Sequence, residues 1–249
     1  MPTQPPLSTL GAAAVDYVRH GWAITPLYWM QDGHCACGNP GRDPYHDYKQ
    51  GGKHPIYRKW QLEPISTVEA AISAWTRTPE ANIGGLTGAA SGMWALDYDP
   101  ENGGKLDDIP ATNSCAKVHQ TGSGGRHFIY TTSDYFCPSN SRGSLPQGWD
   151  VRGSGGQIVL PPSVSGKGVY LAIKNSYPRR APGEIEALIR TRKNGDPYAA
   201  PCDFCPIANR CNPLIACKRG IGSGSIPSLL RVSLSLGTRQ PGKRPTGRT

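Results

Sequence analysis

The spacing of apolar and polar residues divides this chain into a helical amino-terminal part and a middle part made of short strands. A first helix is predicted from about Ser8 to His20, with Ser8 as its N-cap and Gly21 ending it. A second helix is predicted to begin with the capping-box sequence Ser66-Thr-Val-Glu69 and to run to about Trp75.

Short strands are predicted from Ile83 to Ile173, and a last helix is predicted near residues 182–190. Strands that follow one another in this way predict an α+β fold with a mostly antiparallel sheet, rather than alternating βαβ units. A length of 249 residues is near the upper limit for one hydrophobic core. We therefore expect one domain over residues 1–195. A cysteine-rich, knuckle-like segment (196–217) and a basic, disordered tail (218–249) are expected to follow it.

The run Met93-Trp-Ala-Leu-Asp97-Tyr-Asp99 predicts a buried strand that ends in two acids. Because alternate residues of a strand share a face, Asp97 and Asp99 are expected side by side. Neighbouring carboxylates repel unless a cation lies between them, and Mg²⁺ and Mn²⁺ prefer such oxygen ligands. Considered alone, the pair is more typical of a strand that ends in an acidic turn than of a metal site, and glycosyltransferases and nucleases carry the same pair.

A glycine-rich loop, Thr121-Gly-Ser-Gly-Gly-Arg-His127, separates two strand-like segments. Glycine lets backbone N–H groups converge on an anion, so the loop is a candidate phosphate cradle. A plain hairpin turn is the alternative. The candidate phosphate ligands are the glycine and polar residues of the loop and its closing histidine: Ser123, Gly124, Gly125, Arg126 and His127.

Asp150 lies between Trp149 and Val151 and is followed closely by Arg152. Considered alone, a single aspartate between apolar residues is typical of an ordinary turn or of a strand in a ladder. In the company of the acid pair and the glycine-rich loop, we expect Asp150 to be a third metal ligand or the group that activates an attacking hydroxyl.

Taken together and in this order, these segments resemble the bifunctional primase/polymerase (prim-pol) amino-terminal domains of plasmid, phage and prophage replication proteins, which belong to the archaeo-eukaryotic primase superfamily. The resemblance covers about residues 11–190. Its further carriers are short matched segments: Tyr17-Val-Arg-His-Gly21-Trp-Ala-Ile-Thr-Pro26, Gly51-Gly-Lys53-His54-Pro55, Trp60, Ala81-Asn-Ile-Gly84, Thr87-Gly88, Ser91-Gly92, Trp149-Asp150-Val-Arg152-Gly153 and Pro161-Pro-Ser163.

The resemblance implies an RRM-like sheet flanked by helices. It also implies synthesis on a DNA template, in which the 3′-hydroxyl of the growing strand attacks the α-phosphate of a bound dNTP or NTP. Asp97, Asp99 and Asp150 would form a two-metal site for Mg²⁺ or Mn²⁺, and His127 would contact the phosphates. Basic groups must take up the remaining charge of the triphosphate, and Arg152 and Lys53 are the candidates.

The resemblance further implies a zinc knuckle near Cys35-Ala-Cys37, because similar family members carry Cys-x-Cys, a further Cys and Gly-Lys-His-Pro there. This chain departs from that pattern, since no third cysteine lies between Cys37 and Lys53. Four ligands are needed for structural zinc. The candidate set is therefore Cys35, Cys37, His46 and His54, with His46 in place of the missing cysteine, and a degenerate site without zinc is the alternative.

A second cluster offers four thiols within 16 residues, beside basic residues. Its cysteines are Cys202, Cys205, Cys211 and Cys217. Cysteines so close together in a polar segment are hard to explain by core packing. A zinc knuckle that touches template or primer is expected, with an iron–sulfur cluster or free thiols as alternatives.

The net charge of +9 is concentrated at the end of the chain, because residues 218–249 hold seven Lys or Arg and no acid. The remainder is nearly neutral, so its DNA contact is expected to be a local patch. There is no apolar run of membrane-spanning length and no signal-peptide pattern. We expect a cytoplasmic protein of a prokaryotic cell or phage-infected host.

Nothing after residue 190 resembles a helicase, so a replicative helicase encoded elsewhere is the expected partner. Two other function classes stay open. A metal-dependent nuclease could use the same carboxylates, but it needs no triphosphate cradle. A non-catalytic DNA-binding replication accessory would need only the basic tail and the second cysteine cluster, which would leave the three acids without a purpose.

Overall fold

The computed structural model describes residues 6–38, 51–140 and 145–190. The helices within these ranges are α1 (Thr9–Arg19), α2 (Val68–Arg77) and α3 (Gly183–Arg190). They lie where the sequence predicts helices. None of them has the length and apolar character that crossing a bilayer would demand.

Both predicted ends of α1 are confirmed. The Ser8 hydroxyl accepts a hydrogen bond from the Gly11 amide at 3.1 Å, which satisfies one of the free N–H groups of the first turn. Beyond the helix, Gly21 has a φ of +82°, a conformation that favours glycine and ends the helix.

The predicted start of α2 is wrong by one residue. Thr67, not Ser66, is the N-cap: its backbone is extended, and its hydroxyl accepts from the Ala70 amide at 3.2 Å. Glu69 is then the second helical residue, whereas a capping box needs its acid at the third. Ser and Thr both cap well, so the burial of the helix's apolar face decides between them.

Besides short 3₁₀ helices within residues 100–114, the remainder of the regular structure in the described ranges consists of strands. Those in the described ranges are β1 (Ile24–Leu27), β2 (Met30–Gln31), β3 (His34–Cys35), β4 (Asn82–Leu86), β5 (Met93–Tyr98), β6 (Lys117–Gln120), β7 (Arg126–Thr131), β8 (Trp149–Arg152), β9 (Gln157–Leu160), β10 (Val164–Ser165), β11 (Gly168–Val169) and β12 (Leu171–Asn175). They make a five-stranded sheet in the order β12-β6-β7-β5-β8, a three-stranded sheet β1-β4-β9, and the hairpins β2-β3 and β10-β11. All of these pairs are antiparallel, which confirms the predicted α+β class with a mostly antiparallel sheet.

Helices α1 and α2 cover the three-stranded sheet and part of one face of the five-stranded sheet. Val15 of α1, Trp75 of α2, Ile83 of β4 and Ile129 of β7 belong to one buried cluster. The fully buried Trp75 ring also donates its N–H to the Ala81 carbonyl at 2.8 Å, so its polar atom is satisfied.

The opposite face of the five-stranded sheet packs against α3. Leu96 of β5, Phe128 of β7 and Val151 of β8 form a second buried cluster with Ile185 and Ile189 of α3. Alternate strand residues point to opposite faces, so the sequence neighbours of these apolar residues point away from α3. This alternation decides where the polar residues of the site lie.

Candidate active site

Four adjacent strands place titratable side chains in one row across the five-stranded sheet. His119 of β6 is the register partner of His127 on β7, which is the partner of Asp97 on β5, which is the partner of Asp150 on β8. On β5, Ala95 shares the face of Asp97 and belongs to the apolar core under the helices. The row therefore begins where that core ends.

Asp97 has a basic group on each carboxylate oxygen. Its Oδ2 accepts from the Arg152 guanidinium twice, from Nε at 3.0 Å and from Nη2 at 2.9 Å. Its Oδ1 lies 3.6 Å from His127 Nε2. Arg152 Nη2 is also 3.6 Å from Asp150 Oδ2, so a single nitrogen is close to both carboxylates.

Asp99 lies one residue beyond β5 and caps the turn that follows. Its Oδ1 accepts from the Glu101 amide at 2.9 Å, and its Oδ2 accepts from the Asn102 side-chain amide at 2.7 Å. Asp99 lines the same cleft as Asp97. Each carboxylate oxygen has about two lone pairs, so these two contacts leave acceptor capacity for a cation.

The cleft beside the row has a volume of about 630 Å³. Its walls include Lys53 and Trp60 from the loop before α2, and Gln157 at the start of β9. Gln157 donates its side-chain N–H to the Lys53 carbonyl at 2.8 Å, which fastens the loop to the three-stranded sheet. A nucleotide-sized ligand fits a cleft of this volume.

The glycine-rich loop is a tight turn. The Gly124 amide donates to the Thr121 carbonyl at 3.0 Å, the Thr121 amide donates to the Gly125 carbonyl at 2.9 Å, and Gly124 has a φ of +80°. Thr121 and Ser123 line the cleft. Because the Gly124 amide is used inside the turn, this geometry does not offer it to a phosphate.

Arg126 and Gly125 are not among the described residues that line the cleft. Arg126 shares its sheet face with Phe128, which packs in the cluster under α3, so it points away from His127. The phosphate contacts predicted for Gly125 and Arg126 are not supported by this placement. Gly125 has a packing role instead, because a Cβ there would collide with the carbonyl oxygen of Tyr98.

His127 is buried at 5 % exposure, and this sets its charge state. Burial lowers the pKa of His127; Asp97 opposes this shift, while Arg152 and Lys53 add to it. The imidazole is therefore neutral near pH 7, and one ring nitrogen carries a proton that it can donate. Its Nδ1 has no hydrogen-bond partner among the described residues.

Lys53 brings a positive charge to the acids. Burial lowers the pKa of Lys53 and neighbouring Lys167 lowers it further, whereas Asp97, Asp99 and Glu101 raise it. Lys53 therefore interacts electrostatically with these acids. As a basic group in the cleft, it fits the neutralising role that the sequence suggested.

Lys167 is a cleft residue that sequence reasoning missed. It lies in the β10-β11 turn, its side chain is 16 % exposed, and it forms an ion pair with Glu101. The turn rests on the glycine-rich loop, because a Cβ on Gly122 would lie 2.6 Å from the Gly168 carbonyl oxygen. A lysine flanked by glycines usually marks a solvated turn, so no local signal pointed to it.

Tyr170 and Trp60 also line the cleft without having been predicted as site residues. The Tyr170 ring centroid lies 6.0 Å from that of His127, and burial raises the pKa of the Tyr170 hydroxyl, which stays protonated. Trp60 is one of the matched segments of the resemblance, and that was the signal available for it.

The structure brings three of the predicted zinc ligands together. The ligand atoms of Cys35, Cys37 and His54 all lie within 4.8 Å of one another, and the Cys35 sulfur is 4.0 Å from His54 Nδ1. Two thiolates and an imidazole are the donors that zinc prefers. His46 lies outside the described residues, and so does the second cluster, Cys202, Cys205, Cys211 and Cys217.

The carboxylates fit a divalent cation of the Mg²⁺ or Mn²⁺ type. Such ions prefer carboxylate and water oxygens. Asp97 on β5 and Asp150 on β8 are register partners, and both carboxylates lie near Arg152 Nη2. Asp99 lines the same cleft. In the described part of the chain no cysteine belongs to this row, and its two imidazoles, His119 and His127, are buried. The donor set is therefore that of a hard cation.

Comparison with known proteins identifies the family to which the chain belongs. No curated protein sequence matches the chain. A family model described as "Bifunctional DNA primase/polymerase, N-terminal" matches residues 14–187. The matched range includes both cross-strand acids, the glycine-rich loop and His127. Because the match extends over more than half of the sequence, the chain belongs to the bifunctional DNA primase/polymerase N-terminal domain family.

Proposed function

We propose that this protein is a template-directed nucleotidyltransferase that makes or extends primers on a DNA template. A 3′-hydroxyl attacks the α-phosphate of a bound dNTP or NTP, one P–O bond forms, and the bond to the departing pyrophosphate breaks. The observation that carries the proposal is the pairing of Asp97 with Asp150 and with His127 in one register, beside a cleft of about 630 Å³.

Asp97, Asp99 and Asp150 are the residues proposed to hold Mg²⁺ or Mn²⁺. The ion, when bound, lowers the pKa of the attacking hydroxyl and neutralises charge on the pyrophosphate. The protein's own part is to hold the carboxylates in position. The cap contacts of Asp99 and the sheet register of Asp97 do this before any substrate arrives.

The basic side of the cleft is proposed to bind the triphosphate. Lys53 and Lys167 supply positive charge, and Ser123 supplies a hydroxyl. Neutral His127 donates one hydrogen bond to a phosphate oxygen. These groups stabilise charge that increases on the leaving phosphates, so they assist the transition state as well as binding.

We further propose that Cys35, Cys37 and His54 bind zinc with His46, and that the 202–217 cysteines form a second zinc knuckle. Support for the first site is the convergence of its three described ligands. His54 also lines the cleft, so zinc there would fix one cleft wall. The protein's proposed setting is the cytoplasm, with a separately encoded replicative helicase as its partner.

The zinc assignments have a direct assay. The full chain, purified without added chelator, is expected to contain two equivalents of zinc. Cys35→Ser/Cys37→Ser is expected to lose one equivalent and Cys202→Ser/Cys205→Ser the other. Zinc that stays bound in one of these double variants would remove that cluster from the proposal.

Primer extension on a labelled primed template, with Mg²⁺ or Mn²⁺, tests the main proposal. Asp97→Asn, Asp99→Asn and Asp150→Asn keep the side-chain shape but remove charge, so each is expected to slow extension by about 10³-fold or more. Asp107→Asn removes an exposed acid outside the cleft and is expected to extend at the wild-type rate.

Thermal melting and a DNA-binding titration accompany the assay, because the Asn variants are expected to remain folded and to bind DNA. Normal extension by one variant would remove that residue from the site. Metal-dependent shortening of the primer without extension would favour the nuclease alternative. DNA binding without either reaction would favour the non-catalytic accessory.

A further inference from the structure

Arg152 occupies the position between the two acids of the row. Its guanidinium reaches from β8 to Asp97 on β5, while Nη2 also lies 3.6 Å from Asp150. Its side chain is 36 % exposed and lines the cleft, so it is not locked in the core. A single positive charge between two carboxylates supplies part of the neutralisation that a divalent cation would supply.

The guanidinium and a cation compete for the same atom. An ionised carboxylate oxygen has about two lone pairs, and the Arg152 Nε and Nη2 groups occupy both of those on Asp97 Oδ2. The other oxygen of Asp97 faces His127 at 3.6 Å. A cation can therefore take Oδ2 only after the guanidinium moves away.

A triphosphate offers the guanidinium an alternative partner. Arginine matches the paired oxygens of phosphate as well as those of carboxylate. Arg152 shares the cleft with Lys53, Lys167 and Ser123, the groups assigned to the triphosphate. A change of side-chain rotamer would carry its charge from the carboxylates to the phosphates without moving the sheet.

We propose that Arg152 makes cation binding depend on nucleotide: it occupies Asp97 and Asp150 in the free protein and moves to the phosphates when a nucleotide triphosphate binds. The inference rests on the proposed function, and it adds a coupling between the cation and the nucleotide. By thermodynamic linkage, the cation and the nucleotide then strengthen each other's binding by the same factor. Arg152 is thus a positioning residue for the cation site.

The test measures binding rather than turnover. Mn²⁺ affinity of the full chain is determined by electron paramagnetic resonance without nucleotide. The affinity for a non-hydrolysable dNTP analogue is then determined with saturating Mn²⁺ and with EDTA. Only the Mn²⁺ component that Asp97→Asn removes is counted. The coupling is the ratio of the analogue affinity with Mn²⁺ to the analogue affinity with EDTA. The direct attraction of Mn²⁺ for the analogue is the same in every variant, so it cancels when the couplings of two variants are compared.

Arg152→Gln is expected to bind Mn²⁺ about tenfold more tightly than wild type in the absence of nucleotide, and to show a coupling smaller by a similar factor. Lys53→Gln is the matched control. It removes one positive charge from the same cleft but none of the hydrogen bonds to Asp97, so its Mn²⁺ affinity is expected to change much less.

An equal gain in Mn²⁺ affinity in Arg152→Gln and Lys53→Gln would overturn the inference. It would mean that the overall positive charge of the cleft, and not the contacts of Arg152 with Asp97, controls Mn²⁺ binding. An unchanged Mn²⁺ affinity in Arg152→Gln would also overturn it. If wild-type protein shows no Asp97-dependent Mn²⁺ binding even with the analogue, the proposed function itself fails. That result is distinct from the first two.

Discussion

At the scale of a single residue, His127 lies next to Asp97 and lines the same cleft as the basic residues. It is buried, it neighbours Asp97 in register, and its neutral ring can donate one hydrogen bond. Its alignment with Asp97 and Asp150 comes from antiparallel pairing, since the three residues lie on different strands. The position of this one imidazole therefore depends on the register of two strand pairs.

His127→Ala is expected to raise the apparent KM for nucleotide about tenfold, because a hydrogen bond to a charged phosphate is lost. Primer extension over a range of nucleotide concentrations separates KM from kcat. A titration with DNA alone is the accompanying control and is expected to be unchanged. If KM stayed constant while DNA affinity fell, His127 would belong to the DNA contact.

His119 is the most unusual buried residue of the row. It has no exposed surface, and neither ring nitrogen has a hydrogen-bond partner among the described residues. Burial, together with His127 and Lys117, holds the pKa of His119 well below its usual range. Below about pH 6.5 the unfolded chain binds a proton at this residue more readily than the folded chain does. The free energy of unfolding should therefore fall as the pH falls below that value.

His119→Leu is expected to raise the free energy of unfolding by roughly 1 to 3 kcal/mol at pH 7.5, because it removes two unpaired polar atoms from the interior. The gain should be larger at pH 5.5, where protonation destabilises the wild-type protein. Urea unfolding at both pH values measures this. His34→Leu, at an exposed position, serves as the control, and equal behaviour of the two variants would contradict the prediction.

At the scale of elements, the start of α2 shows how packing selects between two adequate signals. Ser66 and Thr67 are both good N-cap residues, and only Thr67 makes the cap hydrogen bond. Helix α2 buries Ala71, Ala74 and Trp75 on one face. The burial of this face places the start of α2 one residue later than the capping-box pattern predicts. The spacing of residues in the sequence does not reveal this shift.

Thr67→Ala is expected to lower the free energy of unfolding by about 1 kcal/mol, since the Ala70 amide loses its acceptor. Ser66→Ala is expected to change it by only a few tenths of a kcal/mol. Denaturant unfolding of the two single variants is a matched comparison. A larger effect at Ser66 than at Thr67 would restore the capping box that the sequence suggested.

For the molecule as a whole, charge is distributed unevenly. The net charge is +9, yet residues 218–249 alone hold seven Lys or Arg and no acid. Those residues lie outside the described part of the chain and outside the family match. A basic segment outside the family match can add affinity for DNA without taking part in the reaction.

Removal of residues 218–249 is expected to weaken DNA binding and to leave extension on saturating template intact. If three or four of the seven basic residues touch phosphates of single-stranded DNA, the log–log salt slope of binding should fall by roughly 2 to 3. Titrations at several salt concentrations measure it. An unchanged slope would show that the tail makes no phosphate contacts.

The sequence by itself determined the fold class and the three helices, and it singled out the acids and His127 as candidate site residues. Helix caps, strand alternation and residue chemistry are local properties that can be read along the chain. Asp97 and Asp150 were recognisable because an acid that ends or interrupts an apolar strand is chemically conspicuous.

Only the tertiary structure decided which of these residues meet. Strand register aligned His127, Asp97 and Asp150, and it sent Arg126 to the opposite face. Packing of the β10-β11 turn on the glycine-rich loop brought Lys167 into the cleft. Such encounters depend on contacts between segments far apart in sequence, and no local pattern encodes those contacts.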